Sequence, residues 1–195
     1  MAGFDFNAKL NFAQLPVDAM KEVRILMTDS GYNSLIATPV IEVFDKDNSS
    51  RVTIRTDNFN YTAEDIDEEK LETIASLIKK LMNILDIKVI EICTVRFFDA
   101  FESEDVKACE FLARKVKYDF SEEDIKDISG VGYRFLTKEN DICNEFKIEP
   151  LISDMDKLFV EGMYNKVKFD TNEIKEYFDS AFKQFCVKVD FFISN

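Results

Sequence analysis

No histidine and no tryptophan occur in the 195 residues, and glycine (five) and proline (three) are scarce. The missing histidine removes the usual general base at neutral pH and the commonest neutral metal ligand. Ser-His-Asp and Cys-His catalysis are thereby excluded, as are HExxH zinc sites and deaminases that need a His ligand. With so few glycines there is no phosphate cradle, and no P-loop is present. An enzyme made from this chain would have to work with Asp, Glu, Lys, Tyr or Cys. The opening stretch MAGFDFNAKLNF is neither a basic region nor a long apolar one, and nothing approaches the roughly 18 continuous apolar residues of a membrane span. That predicts a cytoplasmic protein with no membrane contact. Cys93, Cys109, Cys143 and Cys186 lie far apart with no CxxC pair, which is weak support for disulfides. Cys109 shares an apolar stripe with Val106, Leu112 and Val116 and reads as a small buried hydrophobe.

What the chain has in plenty is acid and phenylalanine. It carries 38 acidic against 25 basic residues, a net charge of -13, with 46% hydrophobic residues of which 19 are Phe. Apolar content at this level rules out disorder, and the length predicts a single compact domain over residues 1–195. Two long amphipathic helices stand out. One runs from about Asp65 to Leu85, with Leu71, Ile74, Ile78, Leu81 and Leu85 on one face and a capping box formed by Thr62 and Asp65. The other follows Asp170 or Thr171 as its cap and aligns Ile174, Phe178, Ala181, Phe182 and Phe185.

Strand patterns fill the intervals. Phe4 to Phe12 alternates, Val40 to Phe44 with Val52 and Ile54 reads as a hairpin, and Val89 to Phe98 is apolar on both faces, as in a central strand. A shorter helix is expected over Ser103 to Val116. GVGYRFLT, FKIEPLI and KLFVEGMYNKVKF complete the strand candidates. The expected fold is α+β: one antiparallel sheet, open on one face and backed by the two long helices on the other. The order strand, helix, strands, helix occurs twice, which predicts an internal pseudo-repeat over residues 4–86 and 87–192.

Several motifs read as structure. GVGYRF at Gly130 to Phe135 is like the wing hairpin of winged-helix regulators, but the upstream SEEDIKDIS is acidic and would repel phosphate. DKDNSS at Asp45 to Ser50 starts like an EF-hand loop, then has Ser50 where Gly is needed and Thr56 where a bidentate Glu is needed. No metal site, cofactor or catalytic set is expected. The acidic clusters contain Glu64, Asp65, Asp67, Glu68 and Glu69, then Glu102, Glu104 and Asp105, then Glu122, Glu123 and Asp124. Each lies at or before a predicted helix start, where carboxylates complement the helix dipole. Their sum also attracts a basic protein and repels nucleic acid and anionic membrane.

The duplicated element order resembles the saddle of TATA-binding proteins in layout. That family's glycine-rich strand turns are absent, and its DNA binding does not carry over to so acidic a chain. The stretch from Val52 to Phe101 is similar to a sporadically distributed, uncharacterised prokaryotic family with two such halves. Tyr61 before the helix and the pair Arg96 and Phe97 on the following strand carry the match, while the Asn expected after that pair is missing. The resemblance implies fold and no activity.

The expected function is accordingly non-catalytic: an acidic protein of prokaryotic or viral origin that binds a basic protein, as an inhibitor, an immunity-type partner or a nucleic-acid mimic. The alternative is a small molecule or peptide held on the sheet, with Arg51, Arg55, Arg96 and Phe97 lining the site. The apolar terminus VDFFISN leaves a homodimer open.

Overall fold

The computed structural model describes residues 2–37, 40–45, 49–102, 108, 112, 132–139 and 142–193. The chain is α+β, as its patterning predicts. In order, the described elements are β1 (Ala2–Lys9), α1 (Val17–Asp29), β2 (Tyr32–Ala37), β3 (Val40–Asp45), β4 (Ser50–Ile54), β5 (Asn58–Ile66), α2 (Glu68–Ile84), β6 (Val89–Glu102), β7 (Tyr133–Glu139), β8 (Ile142–Leu151) and β9 (Asp154–Asp170). A single 3-10 turn (Thr171–Glu173) then leads into α3 (Ile174–Ile193). The nine strands form one sheet in the order β2-β3-β4-β5-β1-β6-β9-β8-β7, antiparallel throughout.

Outward from the β1–β6 pair, β5, β4 and β3 on one side are answered by β9, β8 and β7 on the other. The expected pseudo-repeat asks for more than this order. Its second short helix, over Ser103 to Val116, falls outside the described residues except for Ala108 and Leu112, both helical and buried.

Alternation decides which side of each strand is dry. Phe4, Phe6 and Ala8 of β1, Phe59, Tyr61 and Ala63 of β5, and Cys93, Val95 and Phe97 of β6 are all buried, and the residues between them are not. The helices pack on this face. Helix α2 buries Leu71, Ile74, Ala75, Leu77, Ile78, Leu81 and Met82, and α3 buries Ile174, Phe178, Ala181, Phe185 and Val189. Three residues of α1, Ala19, Val23 and Met27, join the same cluster.

The helix ends follow rules of capping, with one correction. Helix α2 begins at Glu68, not near Asp65, because β5 stays paired with β1 as far as Ile66 opposite Ala2. Thr62 therefore belongs to a strand and Asp65 sits in the left-handed region at φ 54°, so the cap falls to Asp67, whose side chain accepts the Lys70 N–H at 2.7 Å. At the other end Asp86 takes the left-handed position at φ 54°, and the Asp86 and Ile87 amides bond back to Asn83 and Met82 at 3.0 and 2.8 Å, a Schellman stop made without glycine. Asp170 caps the turn into α3 by accepting the Asn172 N–H at 2.8 Å. Thr171 is buried, and its hydroxyl donates to the carbonyls of Ile87 and Lys88, which ties the start of α3 to the α2–β6 connection.

The seam between α3 and the sheet is aromatic. The Phe178 ring lies 5.2 Å from that of Phe4 and 5.1 Å from that of Phe6, both edge-on. Phe97 meets Phe182 at 5.2 Å and Phe185 at 5.8 Å. Phe192 reaches Phe135 of β7 at 4.8 Å, so Val189, Phe192 and Ile193 of the terminal segment pack within the molecule while Phe191 is 63% exposed. Tyr164 of β9 buries its hydroxyl in the same seam with no hydrogen-bond partner among the described residues. It fits because residue 162 is glycine: a Cβ there would lie 3.1 Å from that hydroxyl and 3.0 Å from the Phe185 ring.

Two substitutions test this packing by thermal or denaturant unfolding. Phe178→Ala removes the ring wedged between Phe4 and Phe6 and is expected to cost about 3–5 kcal/mol. Tyr164→Phe deletes an unpaired buried hydroxyl and keeps the ring, so stability should rise by about 1 kcal/mol and Tm by roughly 2–4 °C.

Candidate functional site

The face of the sheet that turns away from the described helices is polar and is the candidate site. Its rows follow from the register. Thr62, Asp5, Arg96 and Met163 lie side by side on β5, β1, β6 and β9, and Asn60, Asn7, Thr94 and Asn165 form the next row. Cross-strand hydrogen bonds lace these rows together: Asn60 Nδ2 donates to Asp5 Oδ1 at 2.7 Å, Asn58 Nδ2 to Asn7 Oδ1 at 3.2 Å, and Thr94 Oγ1 to Asn165 Oδ1 at 2.7 Å.

Charge on this face is paired around one carboxylate. Glu161 is 7% exposed, and its two oxygens are taken by different cations, Oε1 by the Arg96 guanidinium and Oε2 by Lys147 Nζ at 3.1 Å. Lys147 also reaches Glu149 at 3.1 Å, and at the outer strands Arg134 pairs with Glu145 at 2.6 Å. Two rings floor the network. The Arg96 guanidinium lies 4.9 Å from the Phe98 centroid and Lys147 Nζ 5.3 Å from that of Phe159. Burial alone would pull the Lys147 ammonium down, but its bonds to Glu161 and Glu149 outweigh that and hold it above the ordinary lysine range.

Asp5 is the exception to this pairing. Burial pushes its carboxyl above the ordinary range, and the hydrogen bond from Asn60 and the charge of Arg96 only partly offset it. Arg96 stands between two acids, Asp5 directly across on β1 and Glu161 on the diagonal, and it bonds to Glu161. Across the sheet a cleft of about 300 Å³ opens between Arg51, Thr62, Glu64 and Phe98. Among the described residues no group of three or more Cys, Asp or Glu side chains is placed to hold a metal ion. The arrangement suits binding by contact and hydrogen bonding.

The residues expected from the sequence are distributed as follows. Arg96 is on the open face. Phe97 is on the other side of the same strand, fully buried against Phe4, Phe182 and Phe185, because neighbouring residues of a strand point oppositely. Phe98 takes the place beside Arg96 that Phe97 was expected to fill. Arg51 lines the 300 Å³ cleft, and Arg55 lies beyond the end of β4 with its amide bonded to the Asn58 carbonyl at 2.8 Å. Glu64 and Asp65 end β5, Asp67 caps α2, Glu68 and Glu69 form its first turn, and Glu102 ends β6. Glu104, Asp105, Glu122, Glu123 and Asp124 lie outside the described residues, as do Cys109, residues 46–48 of the EF-hand-like stretch and the start of GVGYRF. Cys93 is buried and its thiol is pushed up to about 12, chiefly by burial.

Asp5, Lys147, Phe159 and Glu161 had no signal of their own in the sequence. The only pointer was parity: each is an outward-facing residue of a strand whose neighbours are core.

No protein-family model matches the chain, and no curated protein is significantly similar to it in sequence. No helix among the described residues is long and apolar enough to cross a membrane.

The state of Asp5 sets a pH dependence. Its carboxyl is harder to ionise folded than unfolded, so the folded protein binds the extra proton, and the buried carboxylate costs stability at neutral pH. Asp5→Asn should raise Tm at neutral pH. The gain should shrink as pH falls through the raised Asp5 value and vanish below 3.8, where the carboxyl is protonated in the folded and the unfolded state alike. Unfolding curves of both proteins across that range check the sign.

Proposed function

We propose that this protein is a non-catalytic, cytoplasmic binding protein that acts by protein–protein contact on a basic partner. One observation carries the reading: the directions of the strands collect acids from three connections at one end of the sheet. Glu64, Asp65, Glu68 and Glu69 come from the β5–α2 junction, Glu102 from the end of β6, and Asp154 and Asp156 from the start of β9. Ala2 opposite Ile66, Gly3 opposite Phe98 and Glu102 opposite Lys157 fix these ends together. Among the described residues there, Lys157 is engaged by Asp154 at 3.0 Å and Lys70 by the Glu64 carbonyl. A net charge of -13 steers a basic protein from a distance, and this end with the adjoining polar face gives it a surface to settle on.

A second reading has its own support in the 300 Å³ cleft, where Arg51, Thr62 and Phe98 offer an anion and a flat apolar group a place on the sheet. Salt separates the two, since contact through the acidic end weakens as salt rises and seating in the cleft barely changes.

The test is affinity capture on the tagged protein with elution by a salt gradient, run beside the variant Glu68→Lys/Glu69→Lys/Glu102→Lys. A basic protein that elutes only at raised salt, and that the variant holds at least about tenfold more weakly, supports the proposal. Retention indifferent to salt and to the variant, or a bound small molecule with no protein, overturns it in favour of the cleft.

A further inference from the structure

Strand β9 is 17 residues long and β8 is 10, and the two part before either ends. Their pairing runs from Leu151 opposite Asp154 to Glu145 opposite Met163, whereas on its other side β9 stays paired with β6 as far as Asp170. Beyond Met163 the outer side of β9 is therefore a strand edge within the sheet, because β8 continues beside β7 instead.

Where the strands separate, side-chain amides replace the missing rung. Asn144 Oδ1 accepts the backbone N–H of Asn165 at 2.9 Å, and Asn165 Nδ2 donates to the Cys143 carbonyl. The first bond shows that the main-chain groups of Asn165 point outward. By the two-residue period of a strand, those of Val167 point outward as well. Outside the sheet ladder, no hydrogen bond to the Val167 N–H or carbonyl is found among the described residues.

The surroundings of this edge are specific. Toward α3 a cleft of about 280 Å³ is lined by Ile142, Asn144, Asn165, Ser180 and Gln184. Val167 stands opposite Ile92, and the two are 48% and 49% exposed, an apolar pair with one flank uncovered. Lys168 follows at φ 49° and makes no ion pair among the described residues.

We propose that the outer edge of β9 at residues 165–167 takes an extended peptide of a partner protein as an added strand. The main chain of that peptide bonds to the Val167 N–H and carbonyl. One apolar, preferably β-branched, side chain covers the Ile92–Val167 pair, the residues on either side of it place a hydroxyl or amide among Asn144, Ser180 and Gln184, and a carboxylate meets Lys168. A lysine and a kink are also what guards an exposed edge against indiscriminate pairing. Here the kink limits the added strand to a few residues, so side-chain fit decides which peptide is held.

The experiment uses the whole chain. A randomised peptide display library is selected on it, and hydrogen exchange is followed with a selected peptide. In the free protein the Val167 amide should exchange quickly, and bound peptide should slow it at least about tenfold. Val167→Pro removes the outward N–H together with the Val167 side chain and should weaken the peptide by about tenfold or more. Lys168→Glu, which leaves the backbone intact, should weaken acidic peptides in the same assay and covers a failure of the proline variant to fold. Arg24→Glu, an exposed change on α1, should leave the peptide's affinity unchanged. The proposal is overturned if the Val167 amide is protected in the free protein or if no alternating peptide is enriched. Binding that ignores both edge variants, or responds to Arg24→Glu instead, overturns it too.

Discussion

Everything in this molecule hangs on the contact between its first strand and its last helix. Phe178 of α3 is wedged between Phe4 and Phe6 of β1, and β1 is itself the joint at which one half of the sheet meets β6 and the other half. The same helix carries Phe182 and Phe185 onto Phe97 of β6, so a single run of aromatic residues spans the central pair of strands. Without α3 in place the driest strip of the sheet would face water, at a cost on the order of a few kcal/mol per large side chain. The partners are separated by most of the chain, which makes the closing contact non-local and places the loop-closure cost ahead of its reward.

Helices on one face leave the other to solve a different problem. A sheet surface without a helix on it must satisfy its own polar side chains, and here amides, hydroxyls and ion pairs do so across strands, with Glu161 shared between Arg96 and Lys147. Glu161 sits between two cations because removing one partner from a carboxylate this dry leaves an uncompensated charge. Asp5 shows the reverse, a carboxyl that burial holds back from ionising.

The excess of acid is not on the two long helices. Helix α2 carries Glu68, Glu69 and Glu72 against Lys70, Lys79 and Lys80, and α3 carries Glu176, Asp179 and Asp190 against Lys175, Lys183 and Lys188. Glu72 and Lys175 even pair between the two helices. Negative charge accumulates instead at strand ends and connections. Part of that accumulation has plain structural duties, as with Asp67 and Asp170 at helix starts.

Periodicity made much of this fold legible in the sequence alone. Alternation marked β1, apolar runs marked β4, β6 and β9, and a 3.6-residue stripe of Leu and Ile or of Phe marked α2 and α3, because burying apolar residues within an element is a local requirement. Missing histidine excluded whole classes of catalysis for the same reason: a residue type is present or it is not. Three things waited for the tertiary structure. The start of α2 moved to Glu68 because β5 was held by β1, a partner distant in the chain. Packing decided that the face shared by Arg96 and Phe98 is the open one, whereas Phe97, next to Arg96 in the strand, lies on the other. Glu161, Lys147 and Asp5 came together because they sit on three different strands, and only the pairing of those strands brings their side chains within reach. Composition and period are properties of a segment, but a site is a property of distances between segments, and those are set by packing.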